Sequence, residues 1–328
     1  MSKSHNFKNT QSSQKLKLGK KCVLIDGNAL MHRSYHGVNR GFIPTLDGMP
    51  IGMVFGFCST VLNAMSYFRP DSLIVTFDTK EKTFRHEMDA NYKAHREAAP
   101  DDFYPQVPFL YEFLEACEVQ TLMKPGFESD DLIGTIATEA EKEDYDVYIL
   151  SGDLDFLQLV SDKVKLAKFN GKLEDSIMYG PVETEARYGI KTDQMIDFKA
   201  ICGDSSDNYK GVAGVGPKGA EKLLNEFKTL EDIYENLDKL APKSKEKFEK
   251  DRDYVFHCKK LAEIHTSVDI EYEFEKFHFA PETTKEFFEK MNFKSLLGRY
   301  EKVLRDYDKP PVEIKKKEPE EDKQMAMF

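Results

Sequence analysis

Three carboxylates stand close together in the stretch GFESDDLIGT, residues 126–135: Glu128, Asp130 and Asp131. Apolar residues recur at spacings of three and four directly after them, which predicts that a helix begins here. Acids are favourable at a helix N-terminus, where unpaired N–H groups and the helix dipole attract negative charge. Clustered carboxylates also repel one another unless a cation neutralises them, so the same triplet is a candidate metal site. Taken alone, the triplet fits either role.

Further aspartates stand where short apolar segments end. Asp26 closes KCVLID, Asp78 closes SLIVTFD, and Asp153 and Asp155 lie in DVYILSGDLD. In doubly wound sheets, ligands bind beyond the carboxyl ends of the strands. We therefore expect these acids and the triplet to meet at one edge of a sheet, although a single such Asp often serves only a turn or a cap.

A last acidic pair lies in GDSSDN, where an Asx turn is the alternative to ligand binding. The complete set of candidate metal ligands is Asp26, Asp78, Glu128, Asp130, Asp131, Asp153, Asp155, Asp204 and Asp207. Oxygen donors without His or Cys suit Mg²⁺ or Mn²⁺ rather than zinc. More carboxylates than one hard cation needs indicate two ions, the arrangement used for phosphodiester hydrolysis. We expect two Mg²⁺ ions, with Mn²⁺ as a substitute.

The elements that must position these acids alternate between strands and helices. Helical stretches at 52–68 and 106–119 separate the apolar segments, which predicts an α/β fold with a parallel sheet and helices on both faces. From about residue 180 helical patterns dominate. The predicted division is a flexible arm over 1–19, an α/β domain over 20–178, a mainly helical domain over 179–304, and a tail over 305–328 that is too polar to build a core.

Composition excludes few functions. The 328 residues are 40% hydrophobic and 32% charged, with a net charge of −11. Such a charge disfavours nucleic-acid binding in general, but acids gathered around metals can coexist with a locally basic surface. The sequence shows no apolar run that would span a membrane and no apolar signal core near its N-terminus. Five scattered cysteines without a CxxC pair fit a reducing cytoplasm, where we expect the protein.

A basic segment follows Asp78 directly. It interleaves cations with an aromatic residue, which suits phosphate contact combined with base stacking: Lys82, Arg85, Tyr92, Lys93 and Arg96. Acids are mixed into the same segment, so a solvated helix face is the alternative. Its position beside a proposed ligand favours contact with substrate.

A glycine-rich segment, GVAGVGPKGAEKLL at 211–224, precedes an amphipathic helix. Gly211, Gly214 and Gly216 predict a tight turn between two helices, whose N–H groups approach a phosphate at a helix N-terminus, with Lys218 adding charge. A Walker loop is excluded because no Lys-Ser/Thr follows at the required spacing. A plain helix–helix turn remains the alternative.

Five stretches of this sequence resemble one family in order and spacing. They are VLIDGNALMHRSYH, VTFDTKEKTFRHEMDANYKAHR, GFESDDLIGTIATEAE, ILSGDLDFLQLV and GDSSDNYKGVAGVGPKGAEKLL. Together they resemble the 5′→3′ exonuclease domain of bacterial DNA polymerase I and, more broadly, the 5′-nuclease or flap endonuclease family, over about residues 21–300. The resemblance implies a PIN-like nuclease domain with a helical arch, followed by a helix–three-turn–helix DNA-binding domain. No polymerase portion follows, so we expect a stand-alone version.

The resemblance also implies roles for individual residues. The first metal group matches Asp26, Asp78, Glu128 and Asp130, with Asp131 beside it; the second matches Asp153, Asp155, Asp204 and Asp207. Positions that engage the scissile phosphate and the 5′ strand match Arg33, Lys82, Arg85, Lys93 and Arg96, and Tyr92 matches a place where an aromatic stacks. Of these, Asp26, Arg33, Lys93 and Arg96 are the expected catalytic residues. The glycine-rich turn matches an element that holds duplex DNA and binds K⁺ through the carbonyls of Val212 and Val215.

The chain ends in QMAMF, which resembles the peptides by which bacterial replication proteins dock on the sliding clamp. A charged tether followed by apolar residues and an aromatic is physically suited to docking. The resemblance implies a clamp-binding peptide made by Gln324, Met327 and Phe328.

The leading hypothesis is an Mg-dependent 5′→3′ exodeoxyribonuclease and 5′-flap endonuclease that acts, as a monomer, on DNA with 5′ flaps or RNA-primed 5′ ends during replication and repair. A PIN-type ribonuclease is an alternative, against which the helix–three-turn–helix segment argues. A catalytically weak, clamp-tethered DNA-binding scaffold is another, but it would be expected to have lost some of the acids. A haloacid-dehalogenase-type phosphatase is disfavoured because IDGN lacks a second Asp two positions after Asp26.

Overall fold

The computed structural model describes residues 19–37, 45–168, 173, 176–278 and 280–307. Most of the predicted arm and tail, and the whole predicted clamp-binding peptide at 324–328, lie outside these residues.

The main sheet has six strands in the order β5-β4-β1-β6-β7-β8, and a separate two-stranded sheet pairs β2 with β3. The strands are β1 Lys20–Asp26, β2 Thr45–Leu46, β3 Met49–Pro50, β4 Ser72–Thr76, β5 Gln120–Leu122, β6 Tyr145–Ser151, β7 Val164–Lys168 and β8 Ile177–Tyr179. The first five strands of the main sheet in that order are parallel, and β8 pairs antiparallel with β7. The predicted parallel sheet is therefore confirmed, with one antiparallel edge strand added.

Twelve helices surround the sheet or follow it in the described part of the chain. Ten of them have four turns or fewer, and two are longer. They are α1 Gly27–Gly37, α2 Gly52–Phe68, α3 Phe84–Met88, α4 Val107–Ala116, α5 Ser129–Lys142, α6 Pro181–Tyr188, α7 Met195–Cys202, α8 Pro217–Phe227, α9 Leu230–Glu235, α10 Pro242–Ala262, α11 Pro281–Lys290 and α12 Lys294–Tyr307. None of these helices has the length and apolar composition that a membrane span needs.

Apolar residues cover both faces of the central strand β1. Leu24 belongs to a buried cluster with Ile133 and Ile136 of α5, whereas Val23 and Ile25 belong to a second cluster with α2 and α4. Successive strand residues point to opposite faces, so a parallel strand covered on both sides becomes an uninterrupted apolar run. This explains why KCVLID lacks alternation between polar and apolar residues.

The helices after the sheet pack in two places. Helices α7, α8, α9 and α10 extend the cluster that contains α5, whereas α11 and α12 return to the opposite face. There Phe288 and Tyr300 are buried beside Phe113 of α4. The helical region predicted for 179–304 thus contains one set of helices beside α5 and a second set that completes the cover of the sheet.

Strand register brings the acidic strand ends to one edge. Asp26 lies opposite Thr76 of β4, and Ile25 lies opposite Leu150 of β6, so β1, β4 and β6 end together. Helix α5 begins at the same edge, because β5 runs parallel to β4 and leads into the loop before Ser129. The sheet therefore delivers acids from four segments to one place.

The segment predicted as a helical arch is only partly helical. It contains the five-residue helix α3 followed by turns through residue 95. The backbone N–H of Lys93 donates to the Asp207 carbonyl at 3.1 Å, and the Asn208 side chain donates to the Asn91 carbonyl at 2.8 Å. These contacts fasten the segment to the loop after α7 and bring it across the acidic edge.

Candidate metal centre

Asp26 is buried at the end of β1 and is held by two donors. The Ala29 N–H donates to its Oδ1 at 3.0 Å, and the Ser151 hydroxyl donates to its Oδ2 at 2.8 Å. Burial raises the pKa of Asp26 to about 6 despite these hydrogen bonds, and the nearby Asp78 adds to the rise. A carboxylate that is costly to ionise beside other carboxylates is expected where a cation belongs.

Asp78 is aimed at the same place by α1 and α5. The Asn28 amide donates to its Oδ2 at 2.6 Å, and the Ser129 N–H, at the start of α5, donates to its Oδ1 at 2.7 Å. Burial raises the pKa of Asp78, with Glu128 contributing. The N-terminus of α5 thus orients Asp78, an acid from another segment, as well as the acids of its own first turn.

Glu128 and Asp130 complete the first group. Burial raises the pKa of Asp130 well above its ordinary value, and the carboxylates of Asp26 and Asp153 add to the rise. Asp130 therefore lies within electrostatic reach of acids from both predicted metal groups. Lys93 neutralises part of this charge, since its Nζ lies 2.9 and 3.0 Å from the two Glu128 carboxylate oxygens.

The second group forms on the other side of Ser151. One carboxylate oxygen from each of Asp155, Asp204 and Asp207 lies within 4.8 Å of the others. Asp153 is exposed beside them; its N–H donates to the Ser151 hydroxyl at 3.0 Å, and its Oδ1 accepts from the Asp155 N–H at 2.8 Å. Ser151, which is fully buried, therefore bridges Asp26 of the first group and Asp153 of the second.

A lysine that the sequence analysis missed lies within the second group. The Lys199 ammonium, on α7, forms ion pairs with Asp155 and, at 2.6 Å, with Asp204. Burial raises the pKa of Asp204, but Lys199 and the Ser206 donors outweigh it and hold that pKa at about 2. Asp155 differs, because burial raises its pKa to about 7 against the opposing effect of Lys199. The position of Lys199, five residues before Asp204, is the only sequence signal for this lysine.

Asp131 does not point into the centre, and its predicted role as a ligand does not fit this structure. It is fully buried, and its two oxygens accept from Arg85 Nη2 at 2.7 Å and Nη1 at 2.8 Å. The backbone N–H groups of Glu128 and His265 donate to it at 3.0 and 2.9 Å. With both oxygens engaged by four donors, Asp131 anchors the start of α5 instead.

Arg85 and Tyr92 likewise lie inside the protein rather than on a DNA-facing surface. Arg85 is 2% exposed and also donates to the carbonyls of Leu261 and Glu263. Tyr92 is 3% exposed, and its hydroxyl lies 3.1 Å from Glu128 and 3.2 Å from Asp207. The predicted DNA contact of Arg85 and base stacking of Tyr92 are therefore corrected: both side chains are fixed by buried hydrogen bonds.

The remaining predicted cations lie at or near the surface. The Arg96 Nη2 lies 3.0 Å from Asp207, with its side chain 53% exposed. Lys82 is exposed in the loop before α3, and Arg33 lies half-buried on α1, the helix that follows Asp26. Lys93 and Arg96 thus border the carboxylates, whereas Lys82 and Arg33 stand on the adjoining segments.

The glycine-rich segment is the predicted turn between two helices, α7 and α8. Gly211 has φ +61°, and a Cβ there would lie 2.4 Å from the backbone N of Gly203. Gly214 has φ +69°, and Gly216 immediately precedes α8.

Lys218 is 78% exposed and pairs with Glu221 at 2.9 Å. The Val212 carbonyl accepts from the Val215 N–H at 3.0 Å. The close approach of the Gly203 and Gly211 backbones thus positions the exposed N-terminus of α8.

Two family models match the chain in succession. The N-terminal, resolvase-like domain of 5′-3′ exonuclease matches residues 21–189, and its C-terminal SAM fold matches residues 190–285. The change from sheet to helices near residue 180 lies close to the junction between the two models.

Curated relatives include DNA polymerase I of Bacillus subtilis, 36% identical over 287 residues, which cover 85% of this chain and 32% of that protein. The thermostable DNA polymerase I of Thermus aquaticus is 36% identical over 297 residues, which cover 89% of this chain and 35% of that protein. The chain spans about a third of the length of these relatives.

Solved structures share the fold at lower identity. The flap endonuclease of bacteriophage T5 aligns with a TM-score of 0.64 at 20% identity, over 88% of this chain and all of that chain. The catalytic core of Rad2 aligns with a TM-score of 0.56 at 15% identity, over 89% of this chain and 93% of that one. With both successive domain models matched over residues 21–285, the chain belongs to the 5′-3′ exonuclease family.

Proposed function

We propose that this protein is an Mg-dependent 5′→3′ exodeoxyribonuclease and 5′-flap endonuclease that removes 5′ flaps and RNA primers in DNA replication and repair. The observation that carries the proposal is the meeting of two carboxylate groups at one sheet edge, bridged by Ser151 and bordered by Lys93 and Arg96. The family supports the reaction class, since its name describes a 5′-3′ exonuclease.

The donor set fits hard divalent cations. The side chains that converge are carboxylates, which favour Mg²⁺ or Mn²⁺. Burial and mutual repulsion raise the pKa values of Asp26, Asp78 and Asp130, so a divalent cation bound among them would offset the cost of keeping them ionised. The first ion would be held by Asp26, Asp78, Glu128 and Asp130, and the second by Asp153, Asp155, Asp204 and Asp207. Ions held there would supply a water nucleophile of lowered pKa and electrostatic stabilisation of the charge that develops on the phosphate.

The chain's own cations would position the scissile phosphate. Lys93 and Arg96 now pair with Glu128 and Asp207, so both lie beside the carboxylates with their charge partly satisfied. A phosphate brought to the metals offers each of them a new anionic partner, and charge-assisted hydrogen bonds of this kind orient a phosphate strongly. Arg33, on the helix that follows Asp26, would extend this phosphate contact along the strand. Catalysis would thus come from positioning and from electrostatic stabilisation.

Neighbouring structures support the choice of ligands. The T5 flap endonuclease was crystallised with DNA and metal ions, the T5 5′-exonuclease with zinc ions, and the Rad2 catalytic core with a DNA substrate. These ligands belong to those proteins. For this chain they favour divalent ions and DNA as the first candidates to test.

The direct test is cleavage of a 5′-labelled double-flap DNA by the purified chain, in Mg²⁺ and then in EDTA. We expect cleavage near the flap junction that EDTA stops. Asp153→Asn combined with Asp155→Asn should bind the flap but cut it far more slowly. Tight flap binding by the wild type without cleavage in Mg²⁺ or Mn²⁺ would replace the nuclease by a DNA-binding scaffold.

The glycine-rich turn would hold the duplex part of the substrate, through Gly211, Gly214, Gly216 and Lys218, with K⁺ at the Val212 and Val215 carbonyls. Its exposed helix N-terminus supports this role, because such N–H groups bind phosphate. Duplex affinity should be higher in K⁺ than in Na⁺ at equal ionic strength. Equal affinity in the two salts would remove K⁺ from the proposal.

We also propose that Gln324, Met327 and Phe328 dock on a sliding clamp and that the enzyme acts as a monomer. Deleting 324–328 should abolish clamp binding and spare cleavage of free flaps. Unchanged clamp affinity would contradict the docking role, and sedimentation as a dimer at assay concentrations would contradict the monomer.

A further inference from the structure

Three aromatic side chains form a partly exposed cluster outside the carboxylate groups. Phe84 and Phe127 are half-buried, and His265 is exposed. The ring centroids of Phe127 and His265 lie 5.8 Å apart with their planes 22° from parallel, and Phe84 lies 5.9 and 6.3 Å from them. The Phe84 N–H donates to the Gly126 carbonyl at 3.1 Å, which joins the start of α3 to the loop that carries Phe127. We call these three residues the aromatic platform.

A single guanidinium separates the aromatic platform from the metal centre. The Arg85 Cζ lies 4.5 Å from the Phe84 ring centroid, and its Nη1 lies 3.4 Å from Glu128. Phe127 immediately precedes Glu128 in the chain. The Phe127 ring therefore lies next to Glu128 in the chain, and one buried arginine side chain connects Phe84 to that carboxylate.

Charge around the aromatic platform is balanced. Lys80 and Lys82 are exposed on the loop before Phe84, and Glu81 and Glu87 are exposed on the same segment. Met88, which is 37% exposed, lies one helical turn after Phe84 on the same face of α3. A surface of rings without net positive charge favours a ligand that is bound through its flat faces rather than through its phosphates.

Resting on the nuclease function proposed above, we propose that the aromatic platform binds the bases of the single-stranded 5′ flap. Every base has a face that stacks on an aromatic side chain, so the contact needs no particular sequence. A phenylalanine side chain can bury at most about 150–250 Å², so two half-buried phenylalanines and one histidine offer less than the roughly 800 Å² per partner of a stable protein interface. Their area matches one or two stacked bases, and their place beside Glu128 fits the strand that leaves the scissile phosphate.

The test compares two flaps of equal length, one with ordinary nucleotides and one whose flap nucleotides are abasic, bound in EDTA. The wild type should bind the ordinary flap about tenfold more tightly, as stacking of one base predicts. Phe127→Leu combined with His265→Ala should remove most of this difference, because leucine preserves apolar packing without an aromatic face and only Phe84 keeps a ring. Tyr272→Ala is the matched control, since Tyr272 is a half-buried aromatic that packs against Phe274, and Phe274 in turn contacts Tyr145 at the start of β6, away from the carboxyl edge.

Full discrimination between the two flaps by the double variant would overturn the platform. Loss of most of the discrimination with the wild-type melting temperature, and with unchanged binding in EDTA of a nicked duplex that has no flap, would establish it. The difference should also persist between low and moderate salt, because stacking rather than phosphate contact produces it. Since binding is measured without metal, a failure of the proposed cleavage chemistry would not alter this result.

Discussion

Replacing Asp131 by Asn should weaken the fold and leave metal binding in place. The Asp131 carboxylate is fully buried and faces the Arg85 guanidinium through two hydrogen bonds of 2.7 and 2.8 Å. Removing the negative charge leaves Arg85, which is 2% exposed, without its main partner. Breaking a buried ion pair from one side costs about 3–5 kcal/mol, because the other charge stays desolvated.

The expected loss lies at the lower end of that range, about 3 kcal/mol. The amide keeps one acceptor oxygen, and Arg85 keeps the carbonyls of Leu261 and Glu263. For a domain larger than about 150 residues, each kcal/mol lowers the melting temperature by roughly 2–4 °C. The variant should therefore melt about 6 °C or more below the wild type in EDTA.

Asp130→Asn is the matched control, one residue away with the opposite outcome. Burial and the carboxylates of Asp26 and Asp153 make the charge of Asp130 costly, so neutralising it should leave the melting temperature unchanged or raise it in EDTA. Mg²⁺ stabilises whichever variant still binds it. The second carboxylate group is intact in all three proteins, so adding Mg²⁺ should raise the melting temperature of the wild type and of Asp131→Asn by the same amount, and that of Asp130→Asn by less.

Calorimetric melting of the three proteins, with EDTA and with Mg²⁺, decides between the two roles. If Asp131→Asn melts with the wild type in EDTA and responds as weakly to Mg²⁺ as Asp130→Asn does, then Asp131 is a ligand and the reasoning is refuted. Arg85→Met combined with Asp131→Leu offers a further check, since apolar replacement of both partners should recover much of the lost stability.

Three other predictions concern groups that hold the site in shape. Ser151→Ala removes the hydroxyl that bridges Asp26 and Asp153, so Mg²⁺ affinity measured by calorimetry should fall about 10- to 100-fold, whereas unchanged affinity would show that the bridge is dispensable. Lys199→Met removes the cation between Asp155 and Asp204; its melting temperature should fall in EDTA and recover in Mg²⁺, and a variant as stable as the wild type in EDTA would contradict this electrostatic role. Gly211→Ala should lower the melting temperature because φ is +61° and a Cβ would meet the Gly203 backbone, whereas Gly216→Ala, whose Cβ would meet no protein atom within 4 Å, should preserve it; equal melting temperatures of the two variants would refute the steric argument.

The sequence by itself determined the α/β class and the edge at which the acids gather. Each apolar run ends in an aspartate, and parallel strands place their carboxyl ends together, so Asp26, Asp78 and Asp153 could be assigned to one edge before any coordinates. The glycine-rich turn could also be predicted from local sequence, because glycine adopts a φ near +60°, as at Gly211, at little energetic cost.

Only the tertiary structure decided which charged residues face the site. Successive helical residues point about 100° apart, so Asp130 and Asp131 at the start of α5 face different surroundings, and the packing of α5 fixes which of them meets the cluster. The sequence around Arg85 predicts a surface cation. In the structure Arg85 is buried, and it donates to carbonyls that lie 176 and 178 residues later in the chain. Lys199 of α7 neutralises Asp155, which lies 44 residues earlier in the chain. Burial and ion pairing of this kind depend on long-range packing, which local sequence does not specify.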